Sequence, residues 1–231
     1  MNKTILITGN RKGIGRHLTE YYLGKGYKVV GCSRNESDLV HPNYIHGLCD
    51  VSDEKEVKKI VSLAKKTFGT ISILLNNAGI ASLNHSLLTP SSVVEQIFKT
   101  NYAGSFYFSR ECAKQMMKQK SGRIINFSTI AVPLNLEGEM VYASSKAAVE
   151  KMTQIMAKEL APNGITVNAI GPTPISTDLI KTIPKEKIKT LLEKQTIKRL
   201  GEYKDVENVI DFFISEKSDF ITGQVIYLGG V

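Results

Sequence analysis

Tyr142 and Lys146 stand four residues apart in Tyr142-Ala143-Ser144-Ser145-Lys146, and residues so spaced on a helix share one face. A phenol with its ordinary pKa near ~10 is a poor base at neutral pH. An ammonium group beside it favours the phenolate and draws the pKa toward the working range, so the pair could give or take a proton at a substrate oxygen. A packed ring beside a snorkelling amine is the commoner meaning of the same spacing, and the pair gains weight only from its company. Near the N-terminus, Thr8-Gly9-Asn10-Arg11-Lys12-Gly13-Ile14-Gly15 follows a β-branched run and opens a helical pattern. Glycines there allow a tight turn and a close backbone approach, so that a pyrophosphate can lie against the amides and positive dipole of the helix N-terminus. A bare structural turn is the alternative, and position between strand and helix favours phosphate.

These residues need a frame that brings residue 9 near residue 142. The strand candidates are Thr4 to Thr8, Lys28 to Cys32, Tyr44 to Leu48, Ile71 to Leu75, Arg123 to Phe127, Ile165 to Ile170 and Gln224 to Leu228. Between them, helical spacing shows in Ile14, Leu18, Tyr21 and Tyr22, in Val57, Ile60, Val61 and Ala64, and in Val149, Met152, Ile155 and Met156. Strands alternating with helices predict an α/β fold: a doubly wound, mainly parallel seven-stranded sheet with helices on both faces. Such sheets bind ligands at their carboxyl ends. No linker or repeat divides the chain, so residues 1–231 read as a single domain. The stretch 171–201, with Pro172, Pro174 and Pro184, breaks the rhythm and reads as a substrate loop or lid.

The spacing Gly9-x-x-x-Gly13-x-Gly15 resembles the signature of the short-chain dehydrogenases/reductases, and further marks follow in the same order. These are Asn76-Asn77-Ala78-Gly79 after the fourth strand, Asn101 in Thr100-Asn101-Tyr102-Ala103-Gly104, the Tyr142/Lys146 pair, and Ile221-Thr222-Gly223-Gln224 before the last strand. The resemblance covers essentially the whole chain and implies a Rossmann fold with bound nicotinamide supplying hydride. It implies that Tyr142 protonates the carbonyl oxygen, that Lys146 holds the nicotinamide ribose and tunes the tyrosine, and that Asn101 completes a proton relay through water. It also places Gly9, Arg11, Lys12, Gly13, Ile14, Gly15, Asp50, Val51, Asn77, Ala78, Gly79, Ile175 and Thr177 along the cofactor. The family usually has a catalytic serine thirteen residues before the tyrosine; here that position is Thr129, preceded by Ser128. Either hydroxyl could orient the substrate oxygen, and a threonine methyl narrows the pocket. Thr173 replaces a glycine in the segment resembling the family's stretch after the sixth strand, which makes that loop stiffer than in relatives or sends it along another path.

NAD selection generally uses an acidic residue at the end of the second strand. Ser33-Arg34 occupies that place, and with Arg11 and Lys12 it suits the 2′-phosphate of NADP(H). Glu36 and Asp38 lie just downstream and would restore NAD if the strand ended later.

The remaining features mostly exclude. The cysteines Cys32, Cys49 and Cys112 are odd in number and outside any C-x-x-C pattern, and the histidines His17, His41, His46 and His85 form no ligand cluster, so no catalytic metal is expected. A strand candidate almost at Met1 leaves no room for a secretory signal, and no apolar run approaches ~20 residues, so a cytoplasmic protein without a membrane span is expected. The net charge of +8 comes without nucleic-acid-binding motifs, and no nucleic-acid partner is expected. Between Lys181 and Arg199, six Lys and one Arg against Glu186 and Glu193 leave a local +5. That surface suits an acidic carrier protein or an anionic substrate, or is an ordinary solvated face. A reductase of 3-oxoacyl thioesters, or of another small oxo metabolite such as a sugar or polyketide, is the leading reading. A protein that binds NADP without turnover is the alternative from another class. Relatives usually form dimers or tetramers through the helices at Ser91 to Met117 and Tyr142 to Leu160; Val93, Ile97, Phe106 and Met152 suit such a face or the core.

Overall fold

The computed structural model describes residues 3–175 and 185–231. Its strands are β1 (Thr4–Thr8), β2 (Lys28–Ser33), β3 (Tyr44–Leu48), β4 (Ile73–Asn76), β5 (Gly122–Phe127), β6 (Ile165–Gly171) and β7 (Val225–Tyr227). They form one seven-stranded sheet in the order β3-β2-β1-β4-β5-β6-β7, and every pairing is parallel. The central strands carry near-continuous apolar runs such as Ile5-Leu6-Ile7 and Ile73-Leu74-Leu75, all buried, as a sheet covered on both faces requires. β4 starts two residues later than its apolar run, with Ile71 buried ahead of the ladder.

The helices are α1 (Gly13–Gly24), α2 (Glu54–Phe68), α3 (Ser91–Phe98), α4 (Gly104–Gln119), α5 (Ala131–Leu134), α6 (Met140–Leu160), α7 (Lys185–Lys194) and α8 (Tyr203–Ile214). On one face α2, α4 and α6 bury Val57, Ile60, Phe108, Met116, Val149 and Met152 against Leu6, Leu74 and Ile124. On the other, α1 and α8 bury Leu18, Tyr22, Val206, Ile210 and Phe213 against Ile5, Ile7, Ile73 and Ile125. Each cluster uses one helical stripe and alternate strand residues. Asp53 caps α2 by accepting from the amides of Lys55 and Glu56, at 2.7 and 3.3 Å. Ile97 and Met152 are core residues.

Strand order reverses between β1 and β4, since β1 continues to β2 on one side and β4 to β5 on the other. That switch point opens a crevice at the carboxyl ends. The 171–201 excursion leaves beside it and is tied at its base. Ile175 bridges Gly201, the Gly201 amide donates to the Pro174 carbonyl at 3.0 Å, and the Thr173 hydroxyl donates to Gln195 Oε1. Gln195 is fully buried and its Nε2 donates to the carbonyls of Ile197 and Arg199. Thr173 is thus a tether, which gives the expected stiffness a bond. Thr177 lies outside the described residues.

Candidate active site

The glycine-rich turn crosses the crevice with a bare backbone. Gly9 has φ +69° and a Cβ there would sit 2.8 Å from the Ala78 Cα, so the turn after β1 can approach the end of β4 this closely only with glycine at that position. Asn77 Nδ2 donates to the carbonyls of Thr8 and Gly9 at 2.9 and 3.1 Å, and the Ala78 amide donates to Thr8 Oγ1 at 2.9 Å. Gly13, φ +59°, faces open space. Helix α1 begins there with no side-chain cap and no acidic residue in its first turn, so its orphan amides and positive end stay open. Arg11 and Lys12 are exposed beside it, and Ile14 is half-buried.

β2 ends at Ser33, which places Ser33 and the exposed Arg34 at its carboxyl end. Asp38 is instead ion-paired with Arg16, whose guanidinium holds the carboxyl below its usual range. Glu36 is exposed past the strand end. Asp50 accepts from the amide and hydroxyl of Ser52 at 2.9 and 2.8 Å, and Val51 is buried against Gly104 at the start of α4.

Tyr142 and Lys146 lie one turn apart near the start of α6. Thr129, just past the end of β5, accepts from the Ala131 amide at 3.2 Å, and its hydroxyl lies beside the Tyr142 phenol, where it favours the ionised form. Burial pushes that phenol up to about 12, against the lowering effect of Thr129 and with a small raising effect from Glu139. Lys146 is almost wholly buried, and burial pulls its amine down to about 8. Its Nζ donates to the Phe127 carbonyl at 2.7 Å. The sequence-based expectation of a phenol lowered by its ammonium neighbour is therefore reversed. Shared burial dominates both groups, and Lys146 is turned onto the β5 carbonyl.

Ser128 does not face the tyrosine. Its hydroxyl donates to Glu150 Oε1, which also accepts from Tyr227 OH at 2.7 Å, because consecutive residues leaving a strand point to opposite sides. Asn101 sits in a π-turn, Lys99–Ala103, between α3 and α4, a distortion common at functional sites. Fully buried, it accepts from the Ile80 amide at 2.9 Å and donates to the Ile80 carbonyl at 2.9 Å and Ser145 Oγ at 3.0 Å. Gly79 lies beneath, where a Cβ would come within 3.3 Å of both Asn101 Oδ1 and Lys146 Nζ. Ser145 in turn donates to the Tyr142 carbonyl at 2.7 Å, linking the π-turn to α6.

Residues 8–230 match a family model described as enoyl-(acyl carrier protein) reductase. The 3-oxoacyl-[acyl-carrier-protein] reductase FabG of Staphylococcus epidermidis is 32% identical over 240 residues, covering 100% of this chain and 98% of the relative. FabG of Haemophilus influenzae is 31% identical, over 99% and 97%. The chain belongs to the short-chain dehydrogenase/reductase family. Among solved structures, this chain superposes on ElxO with NADP bound at a TM-score of 0.91 and 30% identity, covering 99% of this chain and 97% of ElxO. A tyrosine-to-phenylalanine variant of ElxO with NADPH bound matches at 0.90 and 30% identity.

Several supports of the reductase site escape sequence reasoning. Asn76 Nδ2 donates to the Ser105 carbonyl, Ser109 Oγ and Asn126 Oδ1, and Asn126 donates to Thr153 at 2.8 Å, so buried amides lock β4 and β5 to α4 and α6. Asn76 opens the Asn76-Asn77-Ala78-Gly79 mark, whereas the sequence signal of Asn126 is a polar residue inside an apolar run. Glu150 and Tyr227 carry none, because their meeting joins residues 77 apart. No group of three or more His, Cys, Asp or Glu among the described residues could hold a metal ion. No helix among the described residues is long and apolar enough to cross a membrane.

Proposed function

We propose that the chain is an NADP(H)-dependent reductase of carbonyl groups, acting on a 3-oxoacyl thioester or a related biosynthetic oxo substrate. The observation that carries this reading is the Thr129–Tyr142 hydroxyl pair beside a buried, charged Lys146 at the mouth of the crevice. The residues fit the cofactor. The open α1 N-terminus suits the pyrophosphate, Ser33, Arg34, Arg11 and Lys12 suit the 2′-phosphate, and Lys146 Nζ, with one of its three protons on Phe127, suits the ribose hydroxyls. Asp50, Val51, Asn77, Ala78, Gly79 and Ile175 would line the remaining length. When bound, NADPH supplies the hydride.

Tyr142 then gives its proton to the substrate oxygen. A phenol held near 12 is neutral at pH 7 and so has a proton to give. Thr129 shares the hydrogen bond and fixes the oxygen between two hydroxyls. Lys146 stabilises the phenolate left behind. Asn101 holds the Ile80 loop against α6 and gives the relay a rigid wall.

The substrate mouth is apolar. Leu83, Leu87 and Leu88 are exposed on the loop after β4, which the Asn84 amide joins to the Gly138 carbonyl at 2.8 Å, two residues before exposed Met140. Such a rim suits an acyl chain, and the lysines around α7, within the 171–201 lid, suit its acidic carrier. Exposed Val94, Tyr102, Met117 and Ile155 on α3, α4, α6 and the turn between them give a face for a homodimer or homotetramer in the cytoplasm.

The test is fluorescence titration with NADPH and NADH, followed by a panel of oxoacyl thioesters, ketones and keto-sugars for wild type and Tyr142→Phe. Tight NADPH binding with turnover lost in the variant supports the reading, and the active panel member names the substrate class. Binding without turnover favours a sensor, and preference for NADH removes the role given to Arg34.

A further inference from the structure

At the end of β2, four side chains outside the proton-transfer site form one hydrogen-bonded chain beneath the residues assigned to the 2′-phosphate. In the parallel register Gly31 opposes His46, so Gly31 and Ser33 on β2 share a face with Tyr44 and His46 on β3. Gly31 has no side chain, and the amide of Asn10 fills the gap. A Cβ on Gly31 would lie 1.9 Å from Asn10 Nδ2. Asn10 is fully buried, and its Nδ2 donates to Tyr44 OH at 2.6 Å and Thr19 Oγ1 at 3.4 Å. Thr19 gives its own proton to the Gly15 carbonyl at 2.8 Å, so its oxygen accepts from the Asn10 NH2, while Asn10 Oδ1 is buried with no partner among the described residues.

That orientation fixes the rest by donor and acceptor count. Tyr44 OH accepts from Asn10, so its proton goes to His46 Nδ1, 3.0 Å away. His46 therefore carries its proton on Nε2, which lies 3.1 Å from the Asn35 carbonyl and 3.3 Å from Ser33 Oγ. Ser33 also donates to the Asn35 carbonyl, at 2.6 Å. The Asn35 carbonyl thus has two donors competing for it.

We propose that His46 is a positioning residue for cofactor selection. It keeps the Asn35 carbonyl satisfied so that the Ser33 hydroxyl is free to turn its proton onto the 2′-phosphate of NADP beside Arg34. This deepens the cofactor assignment above and rests on it. Without the imidazole, releasing Ser33 would leave the Asn35 carbonyl without its side-chain donors. The benefit applies only to a ligand carrying the 2′-phosphate.

The experiment measures dissociation constants for NADPH and NADH by fluorescence in wild type, His46→Phe, His46→Gln, Ser33→Ala and the His46→Phe/Ser33→Ala double variant, with thermal melts of each. A hydrogen bond to a charged group is worth about 10- to 100-fold in affinity. His46→Phe should weaken NADPH by that order while leaving NADH within about twofold. His46→Gln, whose amide can donate to the same carbonyl, should recover most of the loss. The double variant should lose no more than Ser33→Ala alone, since both act on one bond. Equal weakening of both nucleotides, full NADPH affinity in His46→Phe, or additive losses would overturn the proposal. A wild type with no preference for NADPH would overturn it together with the cofactor assignment, whereas a preference that His46→Phe and His46→Gln leave intact would overturn it alone.

Discussion

At the residue scale, the site is governed by what burial does to two groups of opposite charge type. Desolvation raises the Tyr142 phenol to about 12 and lowers the Lys146 amine to about 8, so at pH 7 the phenol is neutral and the amine is charged. Replacing Tyr142 by Phe removes the proton donor, and reductive kcat should fall by about 10²- to 10⁴-fold, measured as NADPH oxidation. Lys146 loses its charge as pH rises through about 8, so reductive kcat/KM should decline above that pH in a steady-state profile. Its linkage to stability runs the other way. Between about 8 and the ordinary 10.5 the unfolded chain binds the extra proton, so stability increases with pH across that window, and at neutral pH the buried charge is a cost. Lys146→Met should therefore abolish turnover and yet stabilise the fold by about 1–2 kcal/mol, read by chemical denaturation at pH 7. An unchanged or lowered stability would mean that the Phe127 hydrogen bond outweighs the desolvation.

At the scale of elements, short-range stitches hold the turns around the crevice. The end of β4 is held to the phosphate turn by Asn77 and Thr8, with Gly9 at the contact. Gly9→Ala would need φ +69° and would push a methyl to 2.8 Å from the Ala78 backbone. It should destabilise the protein by about 1–3 kcal/mol and weaken NADPH binding in the same titration, because strand and turn must part. The base of the 171–201 excursion is held differently, by Thr173 on Gln195 and by Ile175 against Gly201. Thr173→Gly restores the residue more usual in the family and removes the tether. Limited proteolysis should then cut within 186–200 faster than in wild type, with KM for the oxo substrate changing more than kcat.

At the scale of the molecule, the two cores and the switch point make cofactor binding and folding one equilibrium, since the crevice exists only when β1 and β4 are adjacent. NADPH at about 100 times its Kd should stabilise the native state by about 2.7 kcal/mol and raise Tm by about 5–10 °C. A thermal melt with and without NADPH checks this. If Val94, Tyr102, Met117 and Ile155 form an intersubunit face, light scattering should give a mass of at least twice 25.5 kDa. Ile155→Glu should lower it.

The sequence by itself determined the architecture, because it follows from local pattern. Apolar runs alternating with helical stripes required a two-sided parallel sheet, and glycines between β1 and α1 required a bare phosphate turn. A four-residue spacing put Tyr142 and Lys146 on one helical face. The end of β2 was legible to within one residue, since the strand read as Lys28 to Cys32 runs to Ser33. Only tertiary structure decided which hydroxyl meets the tyrosine. Thr129 and Ser128 are adjacent in sequence, and the side from which α6 and β7 approach the loop sent Ser128 to Glu150 and Tyr227 and left Thr129 for Tyr142. The sign of the phenol's shift was likewise beyond the sequence. Spacing specifies proximity to a charge, but desolvation depends on everything packed around both groups. The chain from Asn10 to Ser33 joins three elements through the gap over one glycine, and its existence depends on strand register rather than on any run of residues.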